Sequence, residues 1–221
     1  MHLQISELEQ LDLESSPKLQ KIWHDLVYIP DLCFSELTTL IVYNCQFLSD
    51  AVLPFHLLPS LPKLETLRVQ NCYYVKAIFD VKCAQERVNF PLKKMILWEL
   101  QNLKNVWNED PHEILTMHQL QNVYIKKCKG LTSVFPASVA KGIVKLKMLT
   151  VKRCKELMTI VADMKGTNVE VTFPCPCVRS LKLRRLPRFK YFYYCSLKSD
   201  VYMHLESHTE DRVSTEKVLL F

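Results

Sequence analysis

Cys175-Pro-Cys177 is the closest pair among nine cysteines, and a thiol pair is where metal or redox chemistry would begin. Two ligands do not complete a tetrahedral zinc site, and no C-x-x-C or histidine partner stands at finger spacing. His204 and His208 have the i, i+4 spacing of a helical metal pair, but the intervening Leu-Glu-Ser departs from the H-E-x-x-H order. The three glycines, Gly130, Gly142 and Gly166, build no G-x-x-x-x-G-K-[ST] phosphate loop, and no G-x-S-x-G turn is present. No metal, cofactor or catalytic role is therefore expected. The residue types left with something to do are a periodic set of cysteines and a crowd of lysines and arginines.

Both are positioned by a repeat. An apolar residue opens the frame apolar-x-x-apolar-x-apolar seven times, at Leu8, Leu37, Leu64, Leu92, Leu120, Leu146 and Val178. A further apolar residue follows each opener by 11 positions: Leu19, Leu48, Val75, Leu103, Leu131, Leu157 and Phe189. A period of roughly 20–29 residues with this internal frame is the signature of leucine-rich repeats. The expected fold is α/β: a leucine-rich repeat solenoid, curved as a horseshoe. Short parallel strands should line its concave face, with irregular loops and short helices on the convex face. The division expected is a repeat domain of about seven repeats over 1–198 and an irregular extension over 199–221.

Within one repeat, Thr66 to Gln70 alternates polar and apolar, the period of a half-buried strand. Seven such strands are predicted, centred on Leu11–Leu13, Leu40–Val42, Leu67–Val69, Met95–Leu97, Val123–Ile125, Leu149–Val151 and Leu181–Leu183. Cys45, Cys72, Cys128 and Cys154 each follow their opener by eight residues, so they are expected to stack as one buried, unpaired column bonded to neighbouring backbone. Trp23, Phe79, Trp107, Phe135 and Tyr193 recur later in their repeats and read as core wedges between turns. Ser138–Gly142 and Pro111–Met117 could each form a turn or two of helix, the latter with proline at its first position. With so few glycines, the turns should not depend on left-handed glycine.

The outward strand residues form the candidate binding face, among them Tyr43, Arg68, Trp98, Tyr124, Thr150, Lys126, Lys152, Lys182 and Arg184. Lys127, Arg153 and Arg185 deepen the stripe just past the strand ends. Residues 1–110 hold 10 Lys+Arg against 14 Asp+Glu, a net of −4; residues 111–221 hold 19 against 9, or +10, which sums to +6. A basic stripe beside exposed aromatics suits an acidic protein surface. Phosphate also favours such arrays, but no nucleic-acid module is present, so nucleic acid is not the expected partner.

No apolar run reaches the ~18 residues of a membrane span. Met1–Leu11 has neither the basic start nor the apolar core of a signal peptide. The odd cysteine count and the lack of an Asn-x-Ser/Thr sequon point to reduced thiols in the cytosol or nucleus. Repeat frames lie close to both ends without polar caps, from which a longer parent protein is expected.

The repeats come in two patterns. L-x-x-L-x-V-x-x-C-x-x-L-x-x-I/V-F fits Leu64–Phe79 and Leu120–Phe135; F-P-L-x-x-M-x-L-x-x-L-x-x-L-x-x-V-W fits Phe90–Trp107. This mixture, and Cys128–Gly142 above all, resembles the leucine-rich repeat region of plant intracellular nucleotide-binding disease resistance proteins of the coiled-coil class. The resemblance implies a cytoplasmic recognition module, with the nucleus also open to it. The implied partners are a pathogen effector or guarded host protein, and the nucleotide-binding domain of the parent receptor. The chain has neither the phosphate loop nor the heptads of that family's other domains. The alternative is the substrate-selecting repeat of an F-box ubiquitin ligase adaptor, whose repeats share L-x-x-L-x-L-x-x-C; the variable repeat lengths here favour the first reading.

Overall fold

The computed structural model describes residues 7–15, 34–82, 87–112, 114–162 and 177–194. Along the chain run β1 (Gln10–Glu14), β2 (Thr39–Tyr43), β3 (Ala51–Pro54), β4 (Thr66–Gln70), β5 (Ala77–Asp80), β6 (Val88–Asn89) and β7 (Lys94–Trp98). There follow β8 (Leu115–Thr116), β9 (Asn122–Lys126), β10 (Ser133–Pro136), helix α1 (Ala137–Gly142), β11 (Met148–Lys152), β12 (Thr159–Ala162), β13 (Ser180–Arg184) and β14 (Tyr191–Tyr194). A 3-10 turn at Phe55–Ser60 completes the set.

The seven strands predicted from the frame all form, and they pair in parallel in the order β1-β2-β4-β7-β9-β11-β13. The register is rung for rung. Leu11, Leu40, Leu67, Met95, Val123, Leu149 and Leu181 lie side by side, so equivalent repeat positions become rows across the sheet. Leu40, Val42, Leu67, Val69, Met95, Leu97 and Ile125 are wholly buried, whereas Leu181 and Leu183 on the last strand are only partly so. Alternation alone accounts for this, because successive strand side chains point to opposite faces.

Each strand ends in one device. Ser15, Asn44, Asn71, Glu99, Lys127, Arg153 and Arg185, all seven residues past their opener, have φ between 46° and 58°. The left-handed turn extends the ladder: Asn71 N–H donates to Trp98 O (3.0 Å), Lys127 N–H to Lys152 O (2.9 Å) and Arg153 N–H to Arg184 O (3.0 Å). The turns avoid glycine as expected, yet they do need the conformation glycine favours. Asn tolerates it best, and the others carry a cost of roughly 1–2 kcal/mol each.

One residue further on, the thiols of Cys45, Cys72, Cys128 and Cys154 are buried and unpaired. Each S–H donates to the carbonyl at the end of its own strand, as from Cys72 to Gln70 O (3.3 Å) and from Cys154 to Lys152 O (3.5 Å). Cys45 and Cys72 reach the preceding repeat as well, at Leu13 O (3.4 Å) and Val42 O (3.9 Å). A contact with Cys45, together with burial, pushes the Cys72 thiol well up; burial, then Cys154, does the same to Cys128. The column is not continuous, however. The fourth repeat places the fully buried Leu100 at this position, so the thiols stand as two neighbouring pairs on either side of a leucine.

Away from the seven-stranded ribbon the described residues add short parallel pairings, β3-β5 and β10-β12-β14, with a Phe79–Trp107 bridge, among loops, the 3-10 turn and one short helix. Phe79, Trp107 and Phe135 wedge between turns as predicted. Ring centroids are 5.4 Å apart for Phe79–Trp107 and 5.9 Å for Trp107–Phe135. Trp23 and the Tyr193 side chain lie outside the described residues. The helix expected over Ser138–Gly142 is present as α1.

The described residues of Pro111–Met117, by contrast, form no helix. The Asp110 carboxylate accepts the His112 N–H (3.0 Å) and the Ser138 hydroxyl, which fixes a turn. The chain then extends so that β8 pairs with β6, and Leu115 and Met117 alternate into the core. Cys175, His204, His208 and the extension proposed over 199–221 lie outside the described residues; Cys177 is free and exposed.

Candidate docking face

The face of the sheet turned away from the core carries three rows of side chains, because register is kept across all seven strands. The last strand position gives Glu14, Tyr43, Gln70, Trp98, Lys126, Lys152 and Arg184. The central position gives Asp12, Ile41, Arg68, Ile96, Tyr124, Thr150 and Lys182. Of the predicted site, Tyr43, Trp98, Lys126, Lys152 and Arg184 therefore share one row and Arg68, Tyr124 and Lys182 the next. Arg185 stands outside the strands, in the left-handed row. Thr150 points outward but is only 3% exposed, since its short side chain sits between Tyr124 and Lys182 on adjacent rungs.

Charge runs along these rows in one direction. Asp12 and Glu14 lie on the first strand, Arg68 on the third, and Lys126, Lys152, Lys182 and Arg184 on the last three, with Tyr43, Trp98 and Tyr124 spaced between. Lys126 Nζ sits 4.7 Å from the Trp98 ring centroid and Lys152 Nζ 6.0 Å from that of Tyr124. These cation–π contacts align each lysine toward the preceding strand.

Elsewhere a cation of one repeat meets a carboxylate of the repeat before it. Lys63 bonds Glu36 (2.6 Å), Lys76 bonds Asp50 (3.1 Å), Lys93 pairs with Glu65, and Arg188 pairs with Glu156. Lys127, counted in the basic stripe from sequence, follows the same rule and is neutralised by Glu99. At Lys126, Lys152 and Arg184 the rule fails. Their neighbours on the preceding strand are Trp98, Lys126 and Lys152, and no described carboxylate pairs with any of the three. Burial, and then the charges of Arg184, Lys182 and Lys126, hold Lys152 below the usual lysine range. In the centre, Arg68 Nε, Gln70 Nε2 and Trp98 Nε1 are covered without an acceptor. Sequence reading missed Tyr73 and Tyr74, which are exposed just past β4. The frame carried a signal for them: they fill the x-x of C-x-x-L, where Gln101, Asn102, Lys129 and Lys155 are exposed too.

A parallel, in-register ribbon with an unpaired and strongly polarised outer face defines a leucine-rich repeat solenoid, a protein-interaction scaffold. More specifically, residues 7–155 match the family model for leucine-rich repeats of plant disease resistance proteins similar to RPS2, and the chain belongs to that family. No curated protein and no solved structure matches the chain. Among the described residues, no helix is long and apolar enough to cross a membrane.

Proposed function

We propose that the chain is the recognition module of a plant disease resistance receptor. Its outer sheet face, as the concave side of the horseshoe, senses a pathogen effector or a guarded host protein. In the resting receptor the same face restrains the nucleotide-binding domain. Tyr43, Arg68, Trp98 and Tyr124 provide contact area, and Lys126, Lys152, Lys182, Arg184 and Arg185 provide charge. The module is non-catalytic, spans 1–198 and works in the cytoplasm, with the nucleus also open to it.

The observation that carries this reading is the row Lys126–Lys152–Arg184. Like charges directly opposite on adjacent strands are destabilising. A sequence that places three of them in register needs a gain outside the fold, and an acidic protein surface supplies one. The test is binding of the whole chain to separately supplied nucleotide-binding domain and to candidate pathogen proteins. The variant for comparison carries Lys152→Glu, Lys182→Glu and Arg184→Glu. Wild-type binding is expected to weaken as salt rises, and the variant to associate more slowly. A folded triple variant that binds every genuine partner as the wild type does refutes the reading.

A further inference from the structure

We propose that the occupant of this face is an α-helix lying across the strands, its N-terminus over β1 and an acidic stripe at its C-terminal end over β9, β11 and β13. The inference rests on the docking role just proposed and names the shape and direction of the partner.

Spacing comes first. Adjacent strands are about 4.8 Å apart, so Lys126, Lys152 and Arg184 span about 9.6 Å across two rungs. On a helix, carboxylates at i and i+7 are about 10.5 Å apart, with the i+3 or i+4 residue between them on the same face. In an extended segment, three same-face residues span about 13 Å and drift off the rungs. The cation row therefore matches a helical stripe more closely than a strand. The full row from Glu14 to Arg184 covers six rungs, about 29 Å, which a helix of about 19 residues crosses at 1.5 Å per residue.

Direction comes from charge. A helix carries about half a positive charge at its N-terminus and half a negative charge at its C-terminus. The face offers Asp12 and Glu14 at one end and Lys126, Lys152, Lys182 and Arg184 at the other, joined by one register. That gradient complements a helix in one orientation and opposes it in the other. Between the ends, Tyr43 and Trp98 on the same row offer apolar area to the earlier turns of the helix, the amphipathic helix-in-groove mode of recognition.

The experiment measures fluorescence anisotropy of three labelled peptides of about 18 residues with the full chain. The first is helix-stapled, with leucines on one face of its early turns and glutamates at i, i+4 and i+7 in its last two. The second is stapled with the order reversed; the third is unstapled, with glutamates at i, i+2 and i+4. The first should bind at least about ten-fold tighter than either control, and Lys152→Glu should remove that advantage. Equal binding of all three, or none by the first, overturns the helical occupant. The docking role has its own refutation, since partner binding indifferent to charge reversal removes it whatever the peptides do.

Discussion

Replacing Lys152 with Glu should strengthen the fold while weakening partner binding, and the opposite signs make the test demanding. Lys152 is flanked in register by Lys126 and Arg184, with Lys182 diagonal to it, and no described carboxylate relieves the group. Two unit charges about 5 Å apart interact by about 0.8 kcal/mol in water and about 3 kcal/mol at an effective dielectric of 20. The side chain is half-exposed, so solvent screening brings each pair to about 0.2–1 kcal/mol. Turning three repulsions into attractions changes the balance by twice each pair, and less about 0.5 kcal/mol for the lost contact with Tyr124 this leaves a gain of about 1–5 kcal/mol. Lys152→Met, which removes repulsion without adding attraction, should gain less. The assay is urea unfolding followed by circular dichroism at low salt and near 1 M salt, where a Debye length of about 3 Å erases most of the difference.

The same cluster has a pH signature. Burial and the neighbouring cations depress the folded-state pKa of Lys152, while the unfolded chain keeps that proton to about pH 10.4. Between those two values the unfolded state binds more protons, so wild-type stability relative to Lys152→Met should rise with pH across that window. A Glu variant that is less stable at low salt, or a difference indifferent to salt, refutes the idea of an uncompensated cation cluster.

The remaining predictions concern the scaffold. Trp107→Ala should cost about 3–5 kcal/mol, because it removes a buried indole stacked on Phe79 and packed at a tilt against Phe135, whereas Trp107→Phe leaves a smaller void and retires an N–H without an acceptor. Equal costs for the two in thermal unfolding would contradict that packing. Arg153→Gly should raise stability by about 0.5 kcal/mol, since relief of the left-handed strain slightly exceeds the entropy glycine adds to the unfolded chain; a lower urea midpoint counts against it. Among the described cysteines, native thiol labelling read by mass spectrometry should modify Cys177 first and Cys45, Cys72, Cys128 and Cys154 only on unfolding. Rapid modification of those four would show the column to be open.

Sequence alone determined whatever repeats. The frame places one inward leucine pair per strand, and any chain with that pattern must set its strands parallel to bury them, so all seven strands and the buried cysteines were legible. So was the aromatic wedge, because an apolar residue at a constant offset has the same neighbours in each turn. Residues that meet across turns were not legible. Whether Lys127 is a free cation depends on Glu99 lying beside it, and whether Thr150 is exposed depends on Tyr124 and Lys182 flanking it. The break at Leu100, by contrast, was open to a reading of the frame, since that residue stands eight past Leu92 where four other repeats carry cysteine. The extended path through Leu115 and Met117 was settled by Asp110 and by pairing with β6, against a local preference for helix. The left-handed strand exits were decided the same way: Arg153 adopts a costly backbone because its N–H then meets Arg184 O, a partner supplied by the next turn of the solenoid. Period is a property of the chain; which charge finds a partner is a property of the stack.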